Sequence, residues 1–355
     1  MCEKSVVELN QKPVGFGICK CMARWARGFR MLWLFMKRRH FLQTATGAAL
    51  TSCSTLREPD SLIIDTHQHL WDRKKISPPW VAGAPEVLRH DFTNADYAKA
   101  FAGLNVKAIY MEVDVAPEGH VKEADALVAQ CRAGDTPTIA ATIGGRPSSP
   151  GFEKYVGRYE GSGIVKGVRQ VLHGASTPKG YCLSSDFVRG VRALGKHGMN
   201  FELTMRPTEL EDGVKLIRQC PDTHFVLDHC GNGDPKAFHP KLGPGLKRSC
   251  TADEWKRGID AVAAQPGVMC KISGIVAFVP PGQWEAEHLA PVVNHCLDSF
   301  GPDRVFFGGD WPVCLLGSSV RGWVDALRQI VSTRPTSEQQ KLWSGNAVRF
   351  YDLRV

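Results

Sequence analysis

Residues 61–355 show two different patterns of apolar and polar positions. Short, largely apolar runs are typical of buried strands, and stretches with apolar residues at every third or fourth position are typical of helices. The predicted strands are 62–65, 106–113, 137–143, 164–171, 199–204, 223–228, 267–272 and 304–308. The predicted helices are 94–104, 119–133, 185–197, 208–219, 252–265, 286–299 and 320–332. This regular exchange of strand for helix favours an α/β fold of parallel β-α-β units.

Eight strands in one uninterrupted stretch match a (β/α)8 TIM barrel, which usually takes about 250 residues or more. No linker or internal repeat divides the stretch, so we predict a single domain over residues 60–355. An open, doubly wound sheet is the alternative. Such a sheet would carry a glycine-rich phosphate loop after its first strand. The first predicted strand ends in histidines instead, which favours the barrel.

That first strand ends in the sequence LIIDTHQHLWD, residues 62–72, in which His67 and His69 stand one residue apart. On an extended chain, residues two positions apart point to the same side, so both imidazoles would emerge together. Neutral imidazole nitrogen is a favoured ligand of divalent zinc, iron or nickel. Two surface histidines in the following loop are the alternative, and the pair alone does not decide between them.

In a (β/α)8 barrel the catalytic groups come from the C-terminal ends of the strands. Histidine, carboxylate, arginine or serine residues stand at most of the predicted strand ends. They are His67 and His69 (first strand), Glu112 and Asp114 (second), Arg169 and His173 (fourth), Glu202 and Arg206 (fifth), Asp228 and His229 (sixth), Ser273 (seventh) and Asp310 (eighth). Metal-binding residue types from several strands favour a metal site over isolated surface histidines.

The positive charge of the chain is concentrated in its first sixty residues. The formal net charge is +8, and residues 1–60 hold ten Lys/Arg against four Asp/Glu, which leaves +2 for residues 61–355. No basic stripe interleaved with aromatic residues runs through 61–355, so the sequence gives no support to nucleic-acid binding. We expect a small-molecule substrate, and the sequence does not indicate an oligomeric state.

Residues 1–59 have the features of an export leader. Arg38 and Arg39 precede Phe41-Leu42 and a short apolar stretch, an arrangement that resembles a bacterial twin-arginine signal. The sequence Leu50-Thr51-Ser52-Cys53 resembles a lipoprotein cleavage site, in which a lipid on Cys53 would tether the protein to the outer side of the inner membrane. Because twin-arginine motifs normally lie near the initiator, Met36 is an alternative start to Met1.

The twelve cysteines form no metal-binding or disulfide pattern. Cys2, Cys19, Cys21 and Cys53 belong to the leader, and the other eight are scattered without C-x-x-C spacing. We therefore expect them to be small apolar residues of the core rather than disulfide partners.

Six segments together resemble the amidohydrolase-related family of TIM-barrel hydrolases, most closely its sugar-lactonase branch. The segments are DTHQHLWD (65–72), SPPW (77–80), GVRQVL (167–172), FVLDHCGNGD (225–234), FGPDRVFFGGDWP (300–312) and WSGNAVRFYDL (343–353). The resemblance covers nearly all of residues 61–355. It implies a metal-dependent hydrolase that opens a cyclic ester, with a sugar aldonolactone as the expected substrate.

The resemblance also assigns roles. His67, His69 and Asp310 would hold a divalent metal, with zinc expected, and Asp310 would act as general base and then as general acid. His229 would polarise the substrate carbonyl. On the substrate side, it implies contacts from Arg169 and Arg206 and apolar walls from Trp71 and Trp311. Glu112 is a candidate additional ligand.

The sequence departs from the wider superfamily at the end of the fifth strand. Metal-binding relatives commonly carry a histidine there, whereas this segment reads FELTMRP, residues 201–207, and Lys166 is poorly situated to bridge two metals. A two-metal site is therefore not expected, and one metal would be weakly held or dispensable. Two alternatives stay open: a non-oxidative decarboxylase of an aromatic or muconate-type acid, and an inactive sugar-binding barrel.

Overall fold

The computed structural model describes residues 61–355, so the predicted leader, with Arg38, Arg39 and Cys53, lies outside the described residues. Eight strands form one parallel sheet in which each strand pairs with the next along the chain. They are β1 (Ile63–Gln68), β2 (Val106–Met111), β3 (Thr138–Gly144), β4 (Val165–Val171), β5 (Asn200–Thr204), β6 (Phe225–Leu227), β7 (Met269–Ile272) and β8 (Val305–Phe307). All eight predicted strands are confirmed.

The sheet curls until its last strand meets its first. A parallel bridge joins Gln68 to Trp311, and the backbone N–H of His69 donates to the Trp311 carbonyl at 2.8 Å. The Thr66 hydroxyl donates to the Phe307 carbonyl at 2.7 Å. These contacts close the barrel nearly completely, whereas an open doubly wound sheet would leave its edge strands apart. The predicted α/β barrel architecture is confirmed for the described residues.

Helices cover the outside of the barrel. They are α1 (Asn94–Ala100), α2 (His120–Ala133), α3 (Phe152–Gly157), α4 (Ser185–Lys196), α5 (Leu210–Gln219), α6 (Ala252–Ala263), α7 (Ala286–Phe300), α8 (Val320–Val331), α9 (Thr336–Gln340) and α10 (Asn346–Phe350). The sequence analysis missed α3, α9 and α10, because helices of five or six residues are too short to reveal a 3.6-residue period. Among the described residues, no helix has both the length and the apolarity that a membrane crossing requires.

The barrel interior changes from apolar to charged along the strands. Side chains alternate between the helix-facing and the interior surface of each strand. The lower interior is filled by Ile64, Ile109, Ala140, Val226, Met269 and Phe306, together with Ala347, Tyr351 and Leu353 from the C-terminus. Two positions above Val226 and Met269 stand Asp228 and Lys271, both fully buried. A charged layer therefore separates the apolar base from the open, C-terminal end of the barrel.

The eight cysteines of the described residues all carry free thiols, and seven of them are buried. This agrees with their predicted place in the core.

Candidate active site

A cavity of about 460 Å³ opens above the charged layer, at the C-terminal ends of the strands. Residues from loops all around the barrel line it. They are His69, Trp80, Val113, Asp114, Arg169, Val171, His173, Gly174, His229, Asn232, Gly274, Ala277, Phe278, Asp310, Val313 and Leu316. The barrel thus brings residues that are far apart in sequence to one site, as expected for strand ends of this fold.

His67 lies beneath the cavity and is fully buried. Its Nδ1 is 3.5 Å from Oδ1 of Asp228, and its Nε2 is 3.7 Å from Oδ1 of Asp310. Burial lowers the pKa of His67 well below its usual value, and the positive charges of His229 and Lys271 add to this effect. His67 is therefore a neutral imidazole, the form that binds metals.

His69 has a defined tautomer because a carbonyl can only accept. Its Nδ1 lies 3.0 Å from the Met111 carbonyl and must donate to it. The Nε2 lone pair is then free, and it points toward Oδ1 of Asp310 at 3.5 Å. Burial lowers the pKa of His69 to about 3, with Arg169 contributing, so this imidazole is also neutral.

Asp310 follows β8 with a left-handed backbone (φ 53°), and the buried Asp65 fixes the backbone next to it. One oxygen of Asp65 accepts from the N–H of Gly309 at 2.7 Å and from the N–H of His67 at 2.9 Å. The other accepts from the Tyr97 hydroxyl at 2.9 Å. A single carboxylate thus joins the two segments that carry the histidine pair and Asp310. The sequence analysis assigned no role to Asp65, although a carboxylate inside an apolar strand was a signal.

His229 begins a turn over residues 229–232 in which every residue has a left-handed φ between 52° and 61°. The Nδ1 of His229 is 3.0 Å from the Ser273 hydroxyl, and its ring centre is 4.4 Å from that of His67. Gly274 packs so closely under the ring that a Cβ there would collide with the imidazole. Ser273 is therefore the hydrogen-bond partner of His229.

The residues present fit a divalent cation. One ligand atom from each of His67, His229 and Asp310 lies within 4.8 Å of the others, and all three residues are buried. Two neutral imidazoles with a carboxylate form a donor set suited to divalent metals. His69 lies beside this group through its 3.5 Å contact with Asp310. Of the three residues that we predicted as ligands, His67 and Asp310 belong to this group; its third member is His229, and not His69.

Arg169 would compete with a metal ion for the lone pair on Nε2 of His67. Its Nη1 is 3.3 Å from Nε2 of His67, so the guanidinium donates where a metal would bind. Its Nε donates to Glu112 at 2.6 Å, and its Nη2 donates to the Glu112 carbonyl at 2.8 Å. Burial by itself would lower the pKa of Arg169, but the charges of Glu112 and Asp228 raise it above its usual value. Glu112, a predicted additional ligand, is engaged by this arginine.

A second cation, Lys271, lies fully buried beneath the site. Its Nζ is 2.9 Å from Glu202, 3.2 Å from Asp228 and 3.4 Å from Nδ1 of His67. Glu202 also accepts from the Tyr351 hydroxyl at 2.8 Å. The sequence analysis missed Lys271, because a lysine inside an apolar run reveals no partner until the strands are paired.

Asp310 has a carboxyl group tuned for proton transfer near neutral pH. Burial raises its pKa from 3.8 to about 6, while the nearby His229 and Arg169 limit that rise. A carboxylate with such a pKa is largely ionised at pH 7, yet it binds a proton more readily than an ordinary aspartate. Asp310 can therefore both accept a proton and release it again during one catalytic cycle.

Three predicted substrate-binding residues lie outside the cavity lining. Trp71 is buried with its indole N–H donating to the His90 carbonyl at 2.6 Å, and Trp311 packs edge-on against Phe92 with ring centres 5.2 Å apart. Arg206 pairs with Glu209 at 2.8 Å and donates to the carbonyls of residues 174 and 177. These side chains hold loops in place, and the structure does not bring them to the cavity wall.

Two other residues take up positions on the cavity wall. Trp80, from the loop after β1, lines the cavity and donates its indole N–H to the Val113 carbonyl at 2.8 Å. His173, which the sequence places at the end of the fourth strand, also lines the cavity. Burial, with Arg169 nearby, lowers the pKa of His173 to about 4. The segment SPPW (77–80) belongs to the family resemblance, but that resemblance assigned no role to Trp80.

The barrel and the buried His/His/Asp group at its strand ends define a TIM-barrel enzyme with a candidate metal centre. The family model described as amidohydrolase matches residues 64–353. The chain belongs to the amidohydrolase family and is a hydrolase of that family.

Curated relatives include two lactonases. The chain is 28% identical over 304 residues to an L-fucono-1,5-lactonase of Burkholderia multivorans, covering 82% of this chain and 97% of that protein. It is 22% identical over 295 residues to an L-fucono-1,5-lactonase of Burkholderia ambifaria, covering 82% of this chain and 95% of that protein.

Solved structures with the same fold carry several functional names, and each aligns over 82% of this chain. An amidohydrolase from Burkholderia multivorans with bound zinc has a TM-score of 0.70 at 24% identity, with all of that chain covered. Amidohydrolase 2 from Bifidobacterium longum subsp. infantis has a TM-score of 0.59 at 28% identity, with 99% covered. A manganese-bound 5-carboxyvanillate decarboxylase from Novosphingobium aromaticivorans has a TM-score of 0.57 at 14% identity, with 96% covered. The fold alone therefore does not select the reaction.

Proposed function

We propose that the protein hydrolyses a lactone, with sugar aldonolactones as the first class to test, at the site formed by His67, His229, Asp310 and Arg169. One observation carries the proposal: the buried imidazoles of His67 and His229 and the Asp310 carboxylate, whose pKa is raised by burial, converge at the floor of the cavity. The lactonase names of the curated relatives support this choice of reaction over decarboxylation.

We assign the cation to His67, His229 and Asp310, with His69 as a further donor. Zinc is the first candidate because imidazole nitrogen and carboxylate oxygen are its usual ligands in proteins. When bound, the ion supplies a positive charge that polarises a carbonyl and lowers the pKa of water. The Arg169 contact with Nε2 of His67 at 3.3 Å argues for modest affinity.

The side chains of the protein supply the proton path. Asp310, ionised at pH 7, accepts a proton from water as the water oxygen bonds to the carbonyl carbon of the lactone. The carbonyl oxygen gains negative charge, and Arg169 lies within the cavity to stabilise that charge. When the ring C–O bond breaks, Asp310 returns the proton to the leaving ring oxygen. The product is an open-chain hydroxy acid, whose ionisation releases one proton.

The test combines metal content with a proton-release assay on a panel of lactones, for wild type and Asp310→Asn. We expect the substitution to lower kcat by about 10²- to 10⁴-fold, because it removes the general base. The metal content of His229→Ala against His69→Ala tests the ligand assignment, since loss of His229 should deplete metal more. An Asp310→Asn enzyme with full activity would contradict the proposal.

Assays on the same protein samples distinguish lactone hydrolysis from the two alternatives, a decarboxylase and an inactive sugar-binding barrel. Release of CO2 from aromatic acids, with no lactone hydrolysed, would favour a decarboxylase. An inactive binding barrel would show no turnover in wild type, and Asp310→Asn would keep its affinity for the sugar.

A further inference from the structure

The cavity wall has two chemically different sides, which are not explained by lactone hydrolysis alone. An apolar arc consists of Trp80, Val113, Ala277, Phe278, Val313 and Leu316. The other side consists mainly of Arg169, His173, His229 and Asn232. These four polar residues come from the ends of β4 and β6, and His69, Asp114 and Asp310 add polar groups from the ends of β1, β2 and β8. The apolar arc comes from the loops that follow β7, β8, β1 and β2.

The apolar arc is continuous because those four strands are neighbours around the barrel. The turns Ile275–Phe278 and Val313–Leu316 pack against each other. On the next loops, the indole N–H of Trp80 donates to the Val113 carbonyl at 2.8 Å. Asp114, after β2, pairs with Arg146 at 2.9 Å at one end of the arc. His69 and Asp310 line the cavity from the ends of β1 and β8, next to the loops that carry the arc.

Buried contacts behind the arc hold it in shape. The Nζ of Lys236 donates to the Phe278 carbonyl at 2.6 Å and pairs with Asp234 at 2.8 Å, with both charged side chains almost fully buried. Gly317, just after Leu316, packs so tightly that a Cβ there would collide with the Val276 carbonyl. These contacts fix the backbone of the two turns that carry Phe278 and Leu316.

Such a wall discriminates between two kinds of lactone. A ring hydroxylated on every carbon would turn hydroxyl groups toward the arc, where no side chain can pair with them, and each unpaired hydroxyl costs about tenfold in affinity. An apolar group there would instead gain about two- to fourfold for each buried methylene. The polar side remains available to the ester and to one hydroxylated edge of the ring.

We infer that the preferred substrate is a lactone with an apolar substituent, an alkyl chain or an aryl ring, that lies along the apolar arc. The inference rests on the proposed lactonase function. The ester group faces Asp310 and Arg169, and the substituent extends over the loops that follow β7 and β8. Val313 and Leu316 are then specificity-determining residues.

The experiment measures kcat/KM of the metal-loaded full chain by proton release. One series comprises δ-lactones with side chains from none to five carbons, and glucono-1,5-lactone represents the polyhydroxylated class. We expect kcat/KM to rise about two- to fourfold per methylene until the arc is covered. Over the whole series, the longest-chain lactone should exceed glucono-1,5-lactone.

Variants at Leu316 test whether the rise of kcat/KM with chain length comes from the apolar arc. Leu316→Asn, which keeps the branched shape of the side chain but makes it polar, should flatten the dependence on chain length, and Leu316→Met should preserve it. Val121→Asn, on the exposed surface of α2 away from the cavity, is the control and should leave the trend as in wild type. A melting curve for each variant excludes loss of fold.

The outcomes separate the two proposals. If glucono-1,5-lactone is the best substrate and chain length has no effect, the apolar-substituent inference is overturned while the lactonase proposal stands. An unchanged trend in Leu316→Asn also overturns it. If the folded, metal-loaded protein hydrolyses none of the lactones, the lactonase proposal fails, and the inference fails with it.

Discussion

The Asp65 carboxylate shows how one residue can organise a site without being a candidate ligand. Its two oxygens accept from Gly309, His67 and Tyr97, so it joins the end of β1 to the segment after β8. The first segment carries His67 and His69 and the second carries Asp310, so this carboxylate adds to the backbone contacts between Gln68, His69 and Trp311 that hold the two segments together. Burial raises the pKa of Asp65, while the backbone N–H groups of Gly309 and His67 oppose that rise.

Gly274 allows a test of how far activity depends on the position of the His229 ring. Its backbone has φ +71°, and a Cβ there would collide with the ring of His229. We expect Gly274→Ala to displace that imidazole and to lower kcat/KM by about 100-fold, as is usual for small displacements in an active site. Steady-state kinetics on the best lactone, with a melting curve beside it, would measure this.

Gly282→Ala is the matched control, since Gly282 lies in the same connection between β7 and α7 with φ +69° but has open space around its Cβ position. Both substitutions strain the backbone, and only the first meets His229. Equal losses in the two variants would mean that backbone strain, and not the position of His229, sets the activity.

At the scale of elements, β5, β6 and β7 are coupled through Lys271, whose Nζ contacts Glu202 and Asp228 within the barrel. Lys271→Met should cost about 3–5 kcal/mol of unfolding free energy, because it removes the cation that pairs with the buried carboxylates of Glu202 and Asp228. Adding Glu202→Gln should recover part of this loss. Urea unfolding of the single and double variants measures the coupling, and strictly additive effects would refute it.

Glu123, on helix α2, makes the stability of the folded protein depend on pH. Its carboxylate accepts from the Tyr110 hydroxyl and the Val113 N–H, and burial together with the Glu112 charge raises its pKa from 4.5 to about 7. The folded state thus binds this proton more tightly than the unfolded chain. The contribution to stability is complete below about pH 4.5 and is lost as pH rises through about 7.

Glu123→Gln removes that titration. We expect the variant to gain melting temperature relative to wild type between pH 5 and pH 8, by a few degrees, as followed by circular dichroism. Glu118→Gln, at an exposed position just before α2, should show no such pH-dependent gain. A constant difference between Glu123→Gln and wild type at all pH values would argue against a buried, titrating Glu123.

At the scale of the whole molecule, we propose that residues 1–59 direct export by the twin-arginine route. Changing Arg38 and Arg39 together to lysine should leave unprocessed protein in the cytoplasm of a bacterium that has this route, because its receptor reads the arginine pair. Cell fractionation and mass spectrometry of the N-terminus measure the outcome. Unchanged export of the double variant would exclude a twin-arginine signal.

Cys53→Ser separates lipidation from export. The variant should still leave the cytoplasm but should lack the lipid and be recovered in the aqueous rather than the membrane fraction. Identical membrane association of wild type and Cys53→Ser would rule out a tether at this cysteine.

The sequence by itself determined the barrel and the strand ends at which chemistry could occur. Strand and helix periods are local properties of short segments, and parallel β-α-β units direct all strand ends to one side. His67, His229 and Asp310 were accordingly identified before any contact was known. The helix Phe152–Gly157 was not predicted, because six residues are too few to show the 3.6-residue period of apolar positions.

Only the tertiary structure decided which side chains meet. Lys271 stands in an apolar run, and nothing local indicates that it pairs with Glu202 and Asp228. Likewise Trp80 reaches the cavity, whereas Trp71 and Trp311, which stand next to candidate residues in sequence, do not. The physical reason is the same in each case: the partner of a buried side chain comes from a segment distant in the chain, and packing alone brings the two together.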